Sequence, residues 1–167
     1  MRRIKVGDIF VLITPNTKQK RFFQFIAKDE SFMSSDVVRV FKKAYSPESH
    51  PSISEIMNDD VESYLHTIIR WGIKLNIWDY YGNNPEIGTL LLHFRSAQDF
   101  GEHPGQVFVS QRWEVWELNK PVIFVGKLPE QYYSADIGDV SGPLRALEKI
   151  EERDYVGPFY PRYAFNN

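Results

Sequence analysis

Residues 5–45 read KVGDIFVLITPNTKQKRFFQFIAKDESFMSSDVVRVFKKAY and contain three short runs of β-branched and aromatic residues. The runs are Ile9–Ile13, Phe22–Ala27 and Val37–Phe41, and turn-forming Pro, Asn, Ser and Asp residues separate them. Runs of this length and composition, bounded by such turns, predict β-strands. We therefore predict a three-stranded antiparallel meander that the rest of the chain must cover.

The second of these strands carries apolar side chains on both faces. Because side chains alternate along a strand, Phe23, Phe25 and Ala27 lie on one face, and Phe22 and Ile26 lie on the other. A sheet that curves over its own core covers both faces. The N-terminal part is therefore predicted to be an SH3-like small barrel or a strongly curved sheet.

The middle of the chain predicts a short helix followed by further strands. Ser52 and Glu55 have the spacing of a capping box, which marks a helix start. Val61–Tyr81 is apolar at both the helical and the strand period, and Gly72 in its centre favours two strands, or one bulged strand, over a helix. Thr89–Phe94 predicts a buried strand.

The C-terminal third predicts a hairpin and the clearest helix of the chain. Val107–Leu118 and Val122–Val125 are the two hairpin strands. The helix begins with Pro143 in its first turn and ends before Gly157. Its predicted buried stripe consists of Leu144, Leu147 and Ile150. The fold class is α+β, mostly antiparallel β, with a C-terminal packing helix and a single domain over 1–167.

The composition favours a protein partner over nucleic acid or a membrane. The chain has 167 residues, and its 43% hydrophobic and 25% charged content is ordinary for a globular protein, whereas 15% aromatic content suits sheets and protein interfaces. The net charge of −2 disfavours nucleic acid as a partner. No apolar segment reaches the roughly 18 residues that a membrane span requires, and MRRIKVGDIF does not have the form of a signal peptide.

Chemistry-bearing motifs are sparse. The chain has no cysteine, so it has neither a disulfide framework nor a thiolate metal site, and we expect a cytoplasmic protein. None of the four histidines stands in a metal-ligand spacing, and the sequence has no nucleophile or phosphate-loop motif. We expect no enzyme activity, cofactor or metal. The enzyme alternative is a small hydrolase that uses His103 with Asp99 or Glu102.

Aromatic residues next to acidic residues are the candidate partner contacts. Rings of this kind supply binding hot spots, and neighbouring charges supply specificity. The candidates are Asp79, Tyr80, Tyr81, Asp99, Phe100 and Glu102. An alternative hypothesis is an SH3-like binding module for nucleic acid or peptide, which would use a face formed by Arg21, Arg39 and Lys42.

Several stretches resemble the immunity protein 26 family of bacterial polymorphic toxin systems. They are VGDIFVL, RFFQFIAKDESFMSSDVVRVFKKAY, SYLHTIIRWGIKLNIWDYYGN, FRSAQDFG, VSQRWEVWELNK and VGKL, which together span most of the chain. The resemblance implies a cytoplasmic protein that neutralises a cognate toxin C-terminal domain by binding it and occluding its active cleft. It brings no catalytic residues and no motif that fixes the toxin-contacting surface.

Overall fold

The computed structural model describes residues 3–99, 103, 106–157 and 160–163. The strands are β1 (Asp8–Ile13), β2 (Lys20–Asp29), β3 (Ser35–Phe41), β4 (Val61–Thr67), β5 (Trp78–Asn83), β6 (His93–Ala97), β7 (Trp113–Glu117), β8 (Ile123–Gly126), β9 (Asp136–Ile137) and β10 (Val140–Ser141). The helices are α1 (Ile53–Met57), α2 (Ile69–Lys74) and α3 (Pro143–Glu152), with a 3-10 turn at Glu130–Tyr132.

The strands form two sheets, which confirms the predicted α+β class. The larger sheet has six strands in the order β10-β4-β3-β2-β1-β5, and the smaller has four in the order β8-β7-β6-β9. The meander β1-β2-β3 is antiparallel, as predicted, while β10 joins β4 and β9 joins β6 in parallel. The described strands form no closed barrel, because β10 and β5 are the two edges of the larger sheet. The small-barrel prediction is therefore not confirmed.

The segment 61–81 contains the two predicted strands, but a short helix separates them. α2 begins after Ile68, and the Ile69 N–H donates to Asp36 Oδ2 at 3.0 Å. Gly72 is needed because Trp78 packs directly on it: a Cβ there would lie 1.9 Å from Trp78 Cε2. The glycine thus marks a close contact between α2 and β5, which the sequence pattern alone presents as a strand interruption.

The helix predictions are confirmed in position and corrected in detail. Ser52 caps α1 with the predicted Glu55 capping box. In α3, Ile150 of the predicted stripe is buried and Leu147 is half-buried, whereas Leu144 is 64% exposed and Ala146 is buried in its place. α3 also ends earlier than predicted, at Glu152, because Arg153 adopts a left-handed conformation with φ of 56°.

Strand bounds in the smaller sheet are shorter than predicted. β6 starts only at His93, so most of the predicted strand Thr89–Phe94 is irregular. The predicted hairpin is present as β7 and β8, although β7 begins at Trp113 and the residues before it are not in a strand. Of the apolar residues in that part, Phe108 is 73% exposed and Val109 forms an isolated bridge with Arg162.

The larger sheet buries both faces, as predicted, but Ala27 packs in the same cluster as Ile26 and not with Phe23 and Phe25, because the register of β2 shifts between Phe25 and Ala27. Phe23 and Phe25 pack against α2 and α3 in one apolar cluster. On the other face, Phe22 packs with α1. Ile26 and its neighbours pack against Phe94, Trp116 and other residues of the smaller sheet. The second cluster therefore lies between the two sheets.

One buried carboxylate joins the two sheets. Asp29, at the end of β2, is fully buried and accepts hydrogen bonds from His66 Nε2 on β4 at 3.1 Å and Trp116 Nε1 on β7 at 3.2 Å. It also accepts from the backbone N–H groups of Ser31 and Phe32, each at 3.2 Å. Burial alone would raise the pKa of Asp29, but these donors outweigh it and hold the pKa below its usual value.

The surroundings of His66 favour its neutral imidazole. It is fully buried, and burial lowers its pKa despite the neighbouring Asp29 carboxylate. Since Nε2 donates to Asp29, the lone pair is on Nδ1, which has no hydrogen-bond partner. Protonation would place a second buried N–H there without an acceptor, and the charge of Lys149 further disfavours it.

Removal of the Asp29 carboxylate should destabilise the protein strongly. In Asp29→Ala, the buried N–H groups of His66 and Trp116 lose their acceptor, and we expect the free energy of unfolding to fall by about 3 kcal/mol. Urea denaturation followed by tryptophan fluorescence measures this change. The exposed Asp79→Ala is the matched control and should change stability by less than about 0.5 kcal/mol. Equal effects of the two substitutions would contradict the network.

His66 should make stability depend on pH. Below its usual pKa near 6.5 the unfolded chain binds a proton that folded His66 does not, so stability falls as the solution becomes more acidic. From about pH 7.5 to about 5.5 we expect a loss of about 1 kcal/mol that His66→Gln removes, whereas the exposed His50→Gln retains it. Urea titrations at several pH values test this, and an unchanged slope in His66→Gln would refute the neutral assignment.

Candidate functional site

The predicted partner contacts on β5 are only partly available to a partner. Asp79 is exposed, and Tyr80 is 38% exposed, with its ring centroid 6.2 Å from that of Phe10 in an edge-to-face arrangement. Tyr81 instead packs into the body of the protein. Its hydroxyl donates to the Pro51 carbonyl at 2.6 Å, and its ring centroid is 4.8 Å from that of Phe22. β5 therefore presents Asp79 and Tyr80 on an edge strand.

The other predicted contacts belong to the second sheet or lie outside the described residues. Asp99 follows β6, and its carboxylate accepts hydrogen bonds from the Ser110 hydroxyl and the Gln111 N–H. Phe100 and Glu102 lie outside the described residues. The structure thus places Asp79, Tyr80 and Tyr81 on one sheet and Asp99 beyond the end of a strand of the other.

His103, proposed for the hydrolase alternative, is exposed. Its backbone N–H donates to Gln106 Oε1 at 3.1 Å. Of its two proposed acidic partners, Asp99 is bound to Ser110 and Gln111, and Glu102 is not described. Within the described residues no group of three or more His, Asp or Glu side chains has the geometry to hold a metal ion. The enzyme alternative stays a prediction.

The basic face proposed for the binding-module alternative is not a surface. Arg21 is 2% exposed and donates to the carbonyls of Ile150 and Phe41 and to the Glu62 carboxylate. Arg39 is 7% exposed and donates to Gln24 Oε1 and to the carbonyl of Glu86, each at 2.7 Å. Arg21 thus links β2 to α3, β3 and β4, and Arg39 links β3 to β2 and to the loop after β5. Of the three, only Lys42 is exposed.

A cationic groove is a prominent concave surface in the described part of the chain. It has a volume of about 890 Å³ and lies beside the ends of β2, β3 and β4 and the start of α2. We define it by its four cations Arg3, Lys5, Lys28 and Arg70 and by the indole of Trp71. Trp71 is 59% exposed, which is unusual for the largest apolar side chain.

The fold fixes both walls of this groove. On one side, the Lys5 N–H donates to Asp8 Oδ2 at 3.0 Å and the Gly7 N–H donates to the Phe25 carbonyl at 2.8 Å. Gly7 has φ of 91°, and a Cβ there would lie 2.5 Å from the Asn84 carbonyl oxygen, so glycine is required. On the other side, the packing of Gly72 against Trp78 turns the preceding Trp71 outward.

The groove carries an excess of positive charge. Its only acidic lining residue among those described is Asp36, whose Oδ2 accepts the Ile69 N–H of α2 and is already engaged. The overall charge of −2 therefore hides a local concentration of cations. Cations around an exposed indole attract an acidic partner and give it a flat apolar anchor.

Sequence reasoning missed the groove because its parts are distant in the chain. Arg3 and Trp71 are separated by the four strands β1 to β4 and by α1, and no local pattern brings them together. Trp71 lay in the segment predicted as strands, where an alternating pattern would have made it half-buried. The one available signal was Gly72, since a glycine beside a tryptophan marks a close contact of the backbone with another element.

Among the described residues, no helix is both long enough and apolar enough to cross a membrane. Comparisons of the chain with protein-family models, with curated proteins and with solved structures find no match. The assignment of a function therefore rests on the residues and on their geometry.

Proposed function

We propose that this chain is an immunity protein that binds a cognate bacterial toxin domain in the cytoplasm and neutralises it by occlusion. The proposal rests on the resemblance of its sequence stretches to the immunity protein 26 family. The structural observation that carries it is the cationic groove with the exposed Trp71. In this proposal the protein acts by binding alone and needs no cofactor.

The groove suits an acidic segment of the toxin. Interfaces draw most of their binding energy from a few aromatic and arginine side chains near their centre, and Arg70 and Trp71 are neighbours on α2. The remaining cations would speed association by steering an acidic surface toward the groove. A toxin segment seated there would be held against the ends of β2, β3 and β4, which are interior strands of the larger sheet.

The strand order supports the proposal that the N-terminal part of the chain is related to an SH3-like barrel. In the series β4-β3-β2-β1-β5, β1 pairs with both β2 and the last strand β5, and α2 lies between β4 and β5. We interpret β1 to β5 as an open relative of the SH3-like barrel. Register shifts in the pairings of β1 with β5, β2 with β3 and β3 with β4 are bulges that increase local bending.

Co-expression with the toxin tests the proposed function directly. The toxin is the C-terminal domain encoded by the immediate upstream gene, and we expect this protein to restore growth and to co-purify with the toxin as a stable complex. An unrelated toxin of equal toxicity is the control and should not be neutralised. Absence of both rescue and complex, with the upstream toxin shown to be active, would refute the pairing.

Substitutions in α2 should weaken the complex. We expect Trp71→Ala to raise the Kd by about 10- to 100-fold, since a central aromatic anchor contributes about 2 kcal/mol or more. Leu75→Ala is the matched control, because Leu75 is 56% exposed at the end of the same helix but does not line the groove. Isothermal titration calorimetry measures both. If Tyr80→Ala weakens binding and Trp71→Ala does not, the contact surface is β5 instead.

The binding-module alternative has one observation in its favour, which is again the groove. Cations with an exposed aromatic ring also suit single-stranded nucleic acid. That function requires retention on DNA that declines with salt concentration and is lost in Arg70→Glu. Such retention, together with failure to bind the toxin, would favour the alternative over the immunity function.

A further inference from the structure

A second, smaller cavity lies in the other sheet, away from every residue that defines the groove. Its volume is about 270 Å³. β6 and β7 contribute Arg95 and Trp113, β9 contributes Ile137, and the segment after α3 contributes Tyr160 and Tyr163. The described lining residues include two arginines, Arg95 and Arg162, and no acidic residue.

Arg95 is a buried cation that forms no ion pair with any residue that the structure describes. It is 8% exposed, and both its Nε and its Nη1 are buried with no hydrogen-bond partner. Asp136 is near enough to influence its charge, but the carboxylate of Asp136 accepts from Ser63 Oγ at 2.5 Å and from the Tyr64 N–H at 3.1 Å. Buried N–H groups without acceptors lower the stability of the folded protein. A ligand that supplies acceptors would remove this cost.

The guanidinium stands at the wall of the cavity. Its Cζ is 5.7 Å from the ring centroid of Trp113 and 5.1 Å from that of Tyr163, and both rings line the cavity. Hydrogen bonds hold these rings in place. The Trp113 indole donates to the Ser110 carbonyl at 3.1 Å, and Ser110 in turn donates its N–H to the Arg162 carbonyl at 3.0 Å.

The aromatic wall is preorganised as well. The ring of Tyr163 stacks on that of Tyr133 with centroids 4.0 Å apart and an interplanar angle of 26°. Tyr160 closes another side, where its hydroxyl accepts the Ala97 N–H at 2.7 Å. A flat group that enters the cavity would therefore meet rings that are already fixed, and it would lose little free energy to ordering them.

We infer that this cavity binds one carboxylate attached to a planar or short apolar group, with Arg95 as the anionic contact. A carboxylate supplies acceptors for the unpaired guanidinium N–H groups, and charge-assisted pairs of this kind are among the stronger hydrogen bonds. The cavity falls just below the size of typical ligand pockets, which begin at about 300 Å³. It therefore suits a single group of the size of benzoate or of an acidic side chain.

Benzoate and its neutral isostere benzamide test the inference without knowledge of the natural ligand. The chain has four tryptophans, so the Trp113 indole N–H can be followed by NMR beside three internal references. We expect benzoate to shift the Trp113 signal saturably and benzamide to leave it unmoved. N-acetylglutamate methylamide, which carries an acidic side chain, distinguishes the two sources: tighter binding than benzoate assigns a partner protein's side chain, and weaker binding assigns a small aromatic acid.

Variants at Arg95 separate binding from folding. In Arg95→Met the benzoate Kd should rise by about 10- to 100-fold, because the charge-assisted hydrogen bonds are lost. The thermal midpoint should be unchanged or higher, since the replaced guanidinium has no ion-pair partner. The matched control is Lys74→Gln, which removes an exposed cation that lines neither the groove nor the cavity and should bind benzoate normally. A saturable shift that persists in Arg95→Met, or no shift in the wild-type protein at millimolar benzoate, would overturn the inference.

Discussion

The Asp29 carboxylate is the constraint on which the two-sheet arrangement depends. It ends β2 of the larger sheet and accepts hydrogen bonds from His66 of the same sheet and from Trp116 of the smaller one. An apolar cluster between the sheets could tolerate several packing registers, but a fully buried carboxylate with fixed donors tolerates only one. The carboxylate therefore determines how the smaller sheet sits on the larger, and with it the position of every residue that β6 and β7 carry.

Asp29 and Arg95 show two opposite treatments of a buried charge. Asp29 has donors from side chains and backbone, so its burial is compensated and serves the fold. Arg95, on the neighbouring sheet, has two buried N–H-bearing nitrogens without acceptors. The rings of Trp113 and Tyr163, 5.7 and 5.1 Å from its Cζ, offset part of the cost of burial, but they supply no acceptor for these N–H groups. Asp29 therefore belongs to a structural polar network, whereas the unpaired nitrogens of Arg95 support the inference of a ligand site.

Local features of the fold were predictable from sequence, and features that depend on long-range pairing were not. Strands β1 to β3 and the α1 capping box follow from short-range patterns, and both are present. α2 escaped prediction because its helical face is decided by Trp78, which packs on Gly72 from β5. Arg95 looked like an ordinary polar residue of a strand. Only the pairing of β6 with both β7 and β9 reveals that it lies in the middle of the smaller sheet.

The cationic groove, like α2 and the position of Arg95, could not be predicted from the sequence. A net charge of −2 suggested a chain with no strong field, yet the sum conceals a separation of charges in space. Arg21 and Arg39, which looked like surface cations, are used inside the fold, whereas Arg3, Lys5, Lys28 and Arg70 converge on one surface. Steering of a partner depends on this local potential and not on the total, because screening limits each charge to about 8–10 Å at physiological salt. An acidic partner would thus be attracted to one surface of a protein that is itself slightly acidic.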